Sequence, residues 1–164
     1  GATNLTRIET TKPPRFGNIK NVVGMFQGAT RFDANLSQWD MSNVTSFMFM
    51  FRNATSFNGD VSTWDVSSVR GMWGVFQDAS AFNQDISGWN MVNVFNMAEM
   101  FHGATSFNQN LAAWDVSGAS SMTSMFKNAS SFTGHDLSSW NVSGVTQHTD
   151  FDTGWGANNI APTW

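Results

Sequence analysis

Aspartate and asparagine recur at regular intervals in two columns, and stacked carboxylates of this kind could hold a metal ion. The columns consist of Asn35, Asp60, Asp85, Asn110 and Asp136, and of Asp40, Asp65, Asn90, Asp115 and Asn141. At the ~4.8 Å spacing of adjacent strands, neighbouring carboxylates repel each other, and a bridging Ca²⁺ ion would relieve that repulsion. Alternatively, each side chain caps its own turn, which asparagine and aspartate both do. Because the two residues interchange freely in both columns, we favour capping and predict no metal site.

Other reactive side chains are scarce. The three histidines, His102, His135 and His148, share no ligand spacing, and the absence of cysteine excludes a thiol nucleophile. Hydrolysis of a polysaccharide usually needs a pair of carboxylates across a cleft, and no pair stands out here. We therefore predict a protein without catalytic residues or cofactor. A polysaccharide-active enzyme with its site on one face of the fold is the alternative.

The element that must position these residues is a repeat of 25 residues. It is marked by a Met-Phe or Val-Phe pair at Met25-Phe26, Met50-Phe51, Val75-Phe76, Met100-Phe101 and Met125-Phe126. A fixed period of this length is typical of stacked repeat proteins, whose terminal units need caps. We predict an N-terminal entry segment or cap over residues 1–18, repeats over 19–150 and a C-terminal cap over 151–164.

Each repeat shows two different patterns. Val69, Met72, Val75, Phe76 and Ala79 have helical spacing, which predicts a short α or 3₁₀ helix. Residues 83–89 resemble a short, bulged strand. The predicted fold is thus a leucine-rich-repeat-like α/β solenoid of five 25-residue coils, each with a short strand and a short helix, capped at both ends. The tryptophan column is predicted to lie in the core, and it consists of Trp39, Trp64, Trp89, Trp114 and Trp140.

The repeat motif resembles that of a known family. The run F-N-Q-D-I-S-G-W-N-M at Phe82–Met91, and W-D-V-S beside V-x-x-M-x-x-M-F, are similar to the BspA-like repeats of bacterial and mycoplasma surface proteins and lipoproteins. The resemblance extends over about residues 19–151. It implies a secreted or cell-surface module for binding or adhesion, and it supplies no catalytic residues.

Composition excludes two classes of partner. With a net charge of −4 and only 12% charged residues, the chain has no basic patch for a nucleic acid. No apolar run is long enough to span a bilayer. A protein, peptide or glycan ligand is expected instead.

The solvent side of the helix-like segments suggests where that ligand binds. Three adjacent repeats carry large or charged residues there, whereas the fourth carries Ser120, Thr123, Ser124 and Lys127. Contiguous exposed apolar groups usually mark interaction sites. The predicted ligand-binding residues are Met48, Phe49, Arg70, Trp73, Phe95 and Glu99, with Arg52 at the polar edge.

Three alternatives accompany this prediction. The patch could mediate self-association, or Met48 and Trp73 could simply thicken the core. A third function, ice binding, is suggested by the hydroxyl column Thr30, Thr55, Ser80, Thr105 and Ser130. That column lacks a paired second rank of threonines.

Overall fold

The computed structural model describes residues 19–164 as a stack of turn-rich repeats joined by single parallel β-bridges. The bridges link Asn21 to Ser46, Ser46 to Gly71, Gly71 to Asn96, Asn96 to Ser121 and Ser121 to Gln147. Each step is 25 residues, except the last, which is 26. The predicted period is confirmed, including the one extra residue in the fifth repeat.

The predicted secondary structure is wrong. Residues 19–164 contain no α or 3₁₀ helix and no strand, only isolated bridges, turns and irregular segments. The leucine-rich-repeat-like α/β solenoid with a strand and a helix in each coil is therefore not what this sequence forms. The 83–89 segment, read as a strand, is extended but pairs with no neighbour as a strand would.

Where helices were expected, each repeat has a turn segment of six residues. The turn segments are 23–28, 48–53, 73–78, 98–103, 123–128 and 149–154. The second and sixth residue of every segment has a positive φ, for example +57° at Phe49 and +58° at Asn53. A right-handed helix cannot continue through a left-handed residue, so the helical periodicity is interrupted twice in each repeat.

Backbone amides in these segments alternate between two kinds of acceptor. The N–H groups of Met50, Arg52 and Ala54 each donate to the carbonyl three residues earlier, closing consecutive β-turns. The N–H groups between them donate instead to the following repeat, as from Phe49 to the carbonyl of Trp73 at 2.9 Å. This alternation satisfies the backbone without helix or sheet, and it joins the repeats.

The apolar stripe that suggested a helix is nevertheless buried. Its members in the third repeat, Val69, Met72, Val75, Phe76 and Ala79, are all fully buried. The tryptophan column is buried as predicted, with 3–8% of each side chain exposed. The indole N–H of Trp89 donates to the carbonyl of Val61, one repeat earlier, at 3.2 Å. Spacing therefore predicted burial correctly although it mispredicted the backbone.

An amide column absent from our sequence predictions also connects the repeats. The Oδ1 atom of Asn58 accepts the backbone N–H of Asn83, and that of Asn83 accepts the N–H of Asn108, both at 2.8 Å. Asp33 begins the column, and Asn108 continues it to Thr133. Side chains thus link the repeats on a face where their backbones form few direct hydrogen bonds.

Residues 151–164 lie against the last repeat. Trp155 contacts Phe126 and Phe132 with ring centroids 5.9 and 5.8 Å away, and Trp164 stacks on His148 at 4.3 Å. The predicted N-terminal segment 1–18 lies outside the described residues. In the described part, no helix meets the length and hydropathy that a membrane crossing requires.

Candidate functional site

The predicted binding residues lie on one face, where the turn segments and the bridge column adjoin. Phe49 and Trp73 are in direct contact, with ring centroids 4.8 Å apart and planes inclined by 56°. The guanidinium carbon of Arg52 lies 5.4 Å from the Phe49 ring centroid, within the range of a cation–π contact. We call Phe49, Arg52 and Trp73 the aromatic cluster.

Two glycines make room for the cluster. A Cβ atom on Gly74 would lie 2.8 Å from Cδ1 of Phe49, and one on Gly71 would lie 3.5 Å from the sulfur of Met48. Met48 and Phe49 therefore lie over the glycines of the next repeat. The expectation that Phe49 projects fully into solvent is wrong, because Trp73 and the space above Gly74 hold it partly buried.

The remaining predicted residues divide into two groups. Glu99 is partly buried on the same side as Trp73. Phe95 and Arg70 lie one residue before the bridge column and are exposed, Phe95 by 49%. Phe95 makes no ring contact with any aromatic residue in the 19–164 range. The structure therefore brings Phe49, Arg52 and Trp73 together and leaves Phe95 and Arg70 beside them.

A pocket of about 310 Å³ opens beside Trp73. Its lining comprises Trp73, Asn96, Ala98, Glu99, Ser121, Thr123 and Gln147. The pocket thus extends across successive repeats, with an indole at one end and mostly polar side chains along the rest. Two of its lining residues, Trp73 and Glu99, belong to the predicted site.

A step in side-chain size creates the pocket. Met48, Trp73, Ala98 and Thr123 occupy equivalent positions two residues after the bridge. The large indole of Trp73, 36% exposed, is followed by the small side chains of Ala98 and Thr123. Sequence reasoning noticed the contrast between large and small repeats but missed its result, a hollow lined also by Asn96, Ser121 and Gln147.

Two site residues adopt a backbone conformation that favours glycine. Phe49 and Glu99 have φ of +57° and +54°, at the position that Gly24 and Gly74 occupy in other repeats. A left-handed conformation costs a residue with a Cβ roughly 1–2 kcal/mol, and such strain tends to collect at functional sites. Two bulky residues are therefore retained where glycine would fit with less strain.

Comparison with known proteins places the repeat in a family. The chain matches the family described as "Mycoplasma protein of unknown function, DUF285" over residues 3–94 and again over residues 61–161. The chain belongs to this family. No match was found to any curated protein or to any solved structure.

In this DUF285 member, the two aspartate and asparagine columns cap turns, as predicted. At all ten positions the side-chain Oδ1 accepts the backbone N–H two residues later, at 2.8–3.3 Å. Asparagine and aspartate make the same bond, which explains why they interchange. No group of three or more histidine, aspartate or glutamate side chains that could hold a metal ion occurs among residues 19–164.

The capping bonds predict acid sensitivity. The hydroxyl and the backbone amide of Ser117 lower the pKa of Asp115, and the serines two residues after Asp65, Asp85 and Asp136 lower their pKa values in the same way. A carboxyl with a lowered folded-state pKa stabilises the fold above its unfolded pKa of about 3.9, and this contribution is lost as pH falls through the folded value. The melting temperature should therefore fall between about pH 4 and pH 2, as measured by circular dichroism.

A matched variant isolates these four carboxyls. Replacing Asp65, Asp85, Asp115 and Asp136 with asparagine keeps the acceptor and removes the titration, as Asn35 and Asn110 illustrate in their own turns. The variant's melting temperature should vary less with pH over this range. An equal or steeper acid loss in the variant would contradict the prediction.

The hydroxyl column considered for ice binding donates inside the stack. The hydroxyls of Thr55, Ser80 and Thr105 donate to the carbonyls of Thr30, Thr55 and Ser80, at 3.3, 3.2 and 3.5 Å. These bonds give the column a role in joining repeats.

Proposed function

We propose that the chain is a non-enzymatic binding module of a secreted or cell-surface protein, which holds a protein, peptide or glycan ligand on the face of the aromatic cluster. The observation that carries the proposal is the pocket of about 310 Å³ beside a half-exposed tryptophan that a second ring supports. Small-molecule and ligand sites are commonly hollows of this size with an aromatic wall and a few polar groups.

Two further observations support it. Phe49 and Glu99 are retained in strained conformations at the site, although glycine fits the same position elsewhere. Most carboxylates of the repeats are engaged in turn caps, which gives them a structural use and not a catalytic one.

The surface location and the role in adhesion rest on resemblance. The motifs at Phe82–Met91 and around W-D-V-S are similar to BspA-like repeats of bacterial surface proteins. Membership of the DUF285 family, whose description names Mycoplasma proteins, agrees with the mycoplasma-type repeats in that resemblance.

Binding to an array of immobilised oligosaccharides, extracellular glycoproteins and peptides tests the proposal. Phe95 is 49% exposed, so Phe95→Ser should change the free energy of unfolding by no more than about 0.5 kcal/mol. The same change should weaken the bound ligands by about 1 kcal/mol or more, roughly fivefold. Trp73→Ala should weaken them further, because the indole borders both the pocket and the aromatic cluster.

Ser120→Ala is the matched control, because Ser120 occupies the place of Phe95 in the next repeat. It should leave ligand binding unchanged. Binding that survives both Trp73→Ala and Phe95→Ser would move the ligand to another face and overturn the proposal. Shortened oligosaccharides after incubation with the protein would instead show an enzyme.

A further inference from the structure

The pocket beside Trp73 combines one apolar wall with groups that both donate and accept hydrogen bonds. Asn96 and Gln147 contribute amides, Ser121 and Thr123 contribute hydroxyls, and Glu99 contributes a carboxylate. No lysine or arginine lines it. A ligand that satisfies this set must have one flat apolar face and many groups that donate as well as accept.

The apolar wall is rigid. The indole of Trp73 is held by the Phe49 ring at 4.8 Å, and Phe49 in turn lies over Gly74, where a side chain would collide with it. A supported ring loses little conformational freedom when a ligand stacks on it. The exposed 36% of Trp73 is therefore a stacking surface fixed before the ligand arrives.

The polar groups are partly oriented as well. Oδ1 of Asn96 accepts the backbone N–H of Ala98 at 3.0 Å, which leaves its NH₂ group to donate into the pocket. The carboxylate of Glu99 forms no salt bridge within residues 19–164, so its oxygens remain to accept hydrogen bonds from a ligand. Ser121 is only 7% exposed and lies at the floor.

We propose that this pocket binds a neutral glycan, with one or two pyranose rings stacked on Trp73 and their hydroxyls bonded to Asn96, Glu99, Thr123 and Gln147. This inference rests on the proposed function and narrows it to one ligand class. The C–H face of a pyranose covers the indole, and adjacent hydroxyls match the mixture of donors and acceptors. A volume of about 310 Å³ suits one or two rings.

Charge sets the choice within glycans and against peptides. Glu99 is the one charged group in the lining, so an acidic sugar would meet repulsion without a compensating cation. A lysine side chain could pair with Glu99 and Trp73, but the NH₂ groups of Asn96 and Gln147 would then face a cation with no acceptor. A neutral polyhydroxyl ligand leaves neither group unmatched.

The left-handed conformation of Glu99 permits a sharp test. Glu99→Gly places glycine at φ +54°, as Gly74 and Gly24 already do in their repeats, so it should relieve strain. If the carboxylate serves the ligand, the same change should weaken binding. A residue with only a structural role would not give higher stability together with lower affinity.

The experiment is calorimetric titration of the purified chain with neutral oligosaccharides of glucose, mannose and N-acetylglucosamine, and with oligogalacturonate as the acidic comparison. Calorimetry is preferable to fluorescence because the chain has eight tryptophans. We expect at least one neutral oligosaccharide to bind and the acidic one to bind more weakly. Trp73→Ala and Glu99→Gly should each reduce that affinity tenfold or more, and Glu99→Gly should keep or raise the melting temperature.

Asn128→Gly is the matched control. Asn128 has a φ of +59° and lies outside the pocket lining, so its replacement should relieve the same kind of strain without changing glycan affinity. Glu99→Gln keeps one acceptor and should retain more affinity than Glu99→Gly.

The outcomes separate this inference from the proposed function. If no neutral oligosaccharide binds, or if binding ignores Trp73→Ala and Glu99→Gly, the glycan inference is overturned. If peptides or proteins bind instead and depend on Trp73, the binding module stands and only the ligand class is wrong. If nothing on the array binds through this face, both proposals fail. Tighter binding of oligogalacturonate would overturn the charge argument.

Discussion

Trp89→Ala is expected to destabilise the fold by ~3–5 kcal/mol, the range for removing a buried aromatic side chain. Trp89 is 3% exposed and stacks on Trp64 with centroids 6.3 Å apart. Its indole N–H also donates to the carbonyl of Val61, a bond that joins two repeats. Alanine would therefore leave a cavity and a carbonyl without its partner.

Chemical denaturation measures this loss, with Trp89→Phe as the control. Phenylalanine keeps much of the volume and removes the N–H donor, so the difference between the variants separates packing from the hydrogen bond. In a one-dimensional stack a central defect can uncouple the two sides, and the alanine variant is expected to unfold in two stages. Unchanged stability would contradict the buried tryptophan column.

Phe76→Ala is expected to have an effect of similar size, ~3–5 kcal/mol, for a different reason. Phe76 is fully buried and forms a 3.7 Å stacked pair with Phe82 in its own repeat. It also stacks on Phe51 and Phe101, in the repeats before and after, at 5.6 and 5.9 Å. Removing it interrupts a ring column along the stack and breaks a pair within the repeat.

Thermal unfolding of Phe76→Ala and Phe76→Leu measures this effect. Leucine retains much of the buried apolar area and should recover a large part of the stability lost in alanine. Phe95→Ala is the exposed control, and it should change stability little. If Phe76→Ala and Phe95→Ala prove equally mild, the ring columns contribute far less than their burial indicates.

Sequence spacing predicted burial and failed on backbone conformation, for an identifiable reason. Offsets of 3, 3, 1 and 3 bury one side of a helix, but they also bury one side of consecutive β-turns. The signal that distinguishes the two lies at the last turn-segment position, where the residues are Gly28, Asn53, Asp78, Gly103, Asn128 and Gly154. Only glycine, asparagine and aspartate occur there, the residues that tolerate positive φ best.

The candidate site was predicted only in part. Large residues in three adjacent repeats correctly pointed to this face, and the exposure of Trp73 and Phe95 agrees with their choice. The pocket could not be predicted, because it depends on how Ala98 and Thr123 align with Trp73 across repeats. The partial burial of Phe49 likewise depends on the space above Gly74, a contact 25 residues away.

The alternating amides give the stack an electrical direction. In each turn segment the N–H groups that leave the repeat point toward the C-terminal neighbour, as from Phe51 to Val75 and Asn53 to Gln77. In the last segment, the amides of Asp150, Asp152 and Gly154 reach the end of the stack with no backbone acceptor among residues 19–164. Aligned peptide dipoles make such an end partially positive. In an α-helix the positive end is the N-terminus, whereas here it lies at the C-terminal edge, where the carboxylates of Asp150 and Asp152 are located.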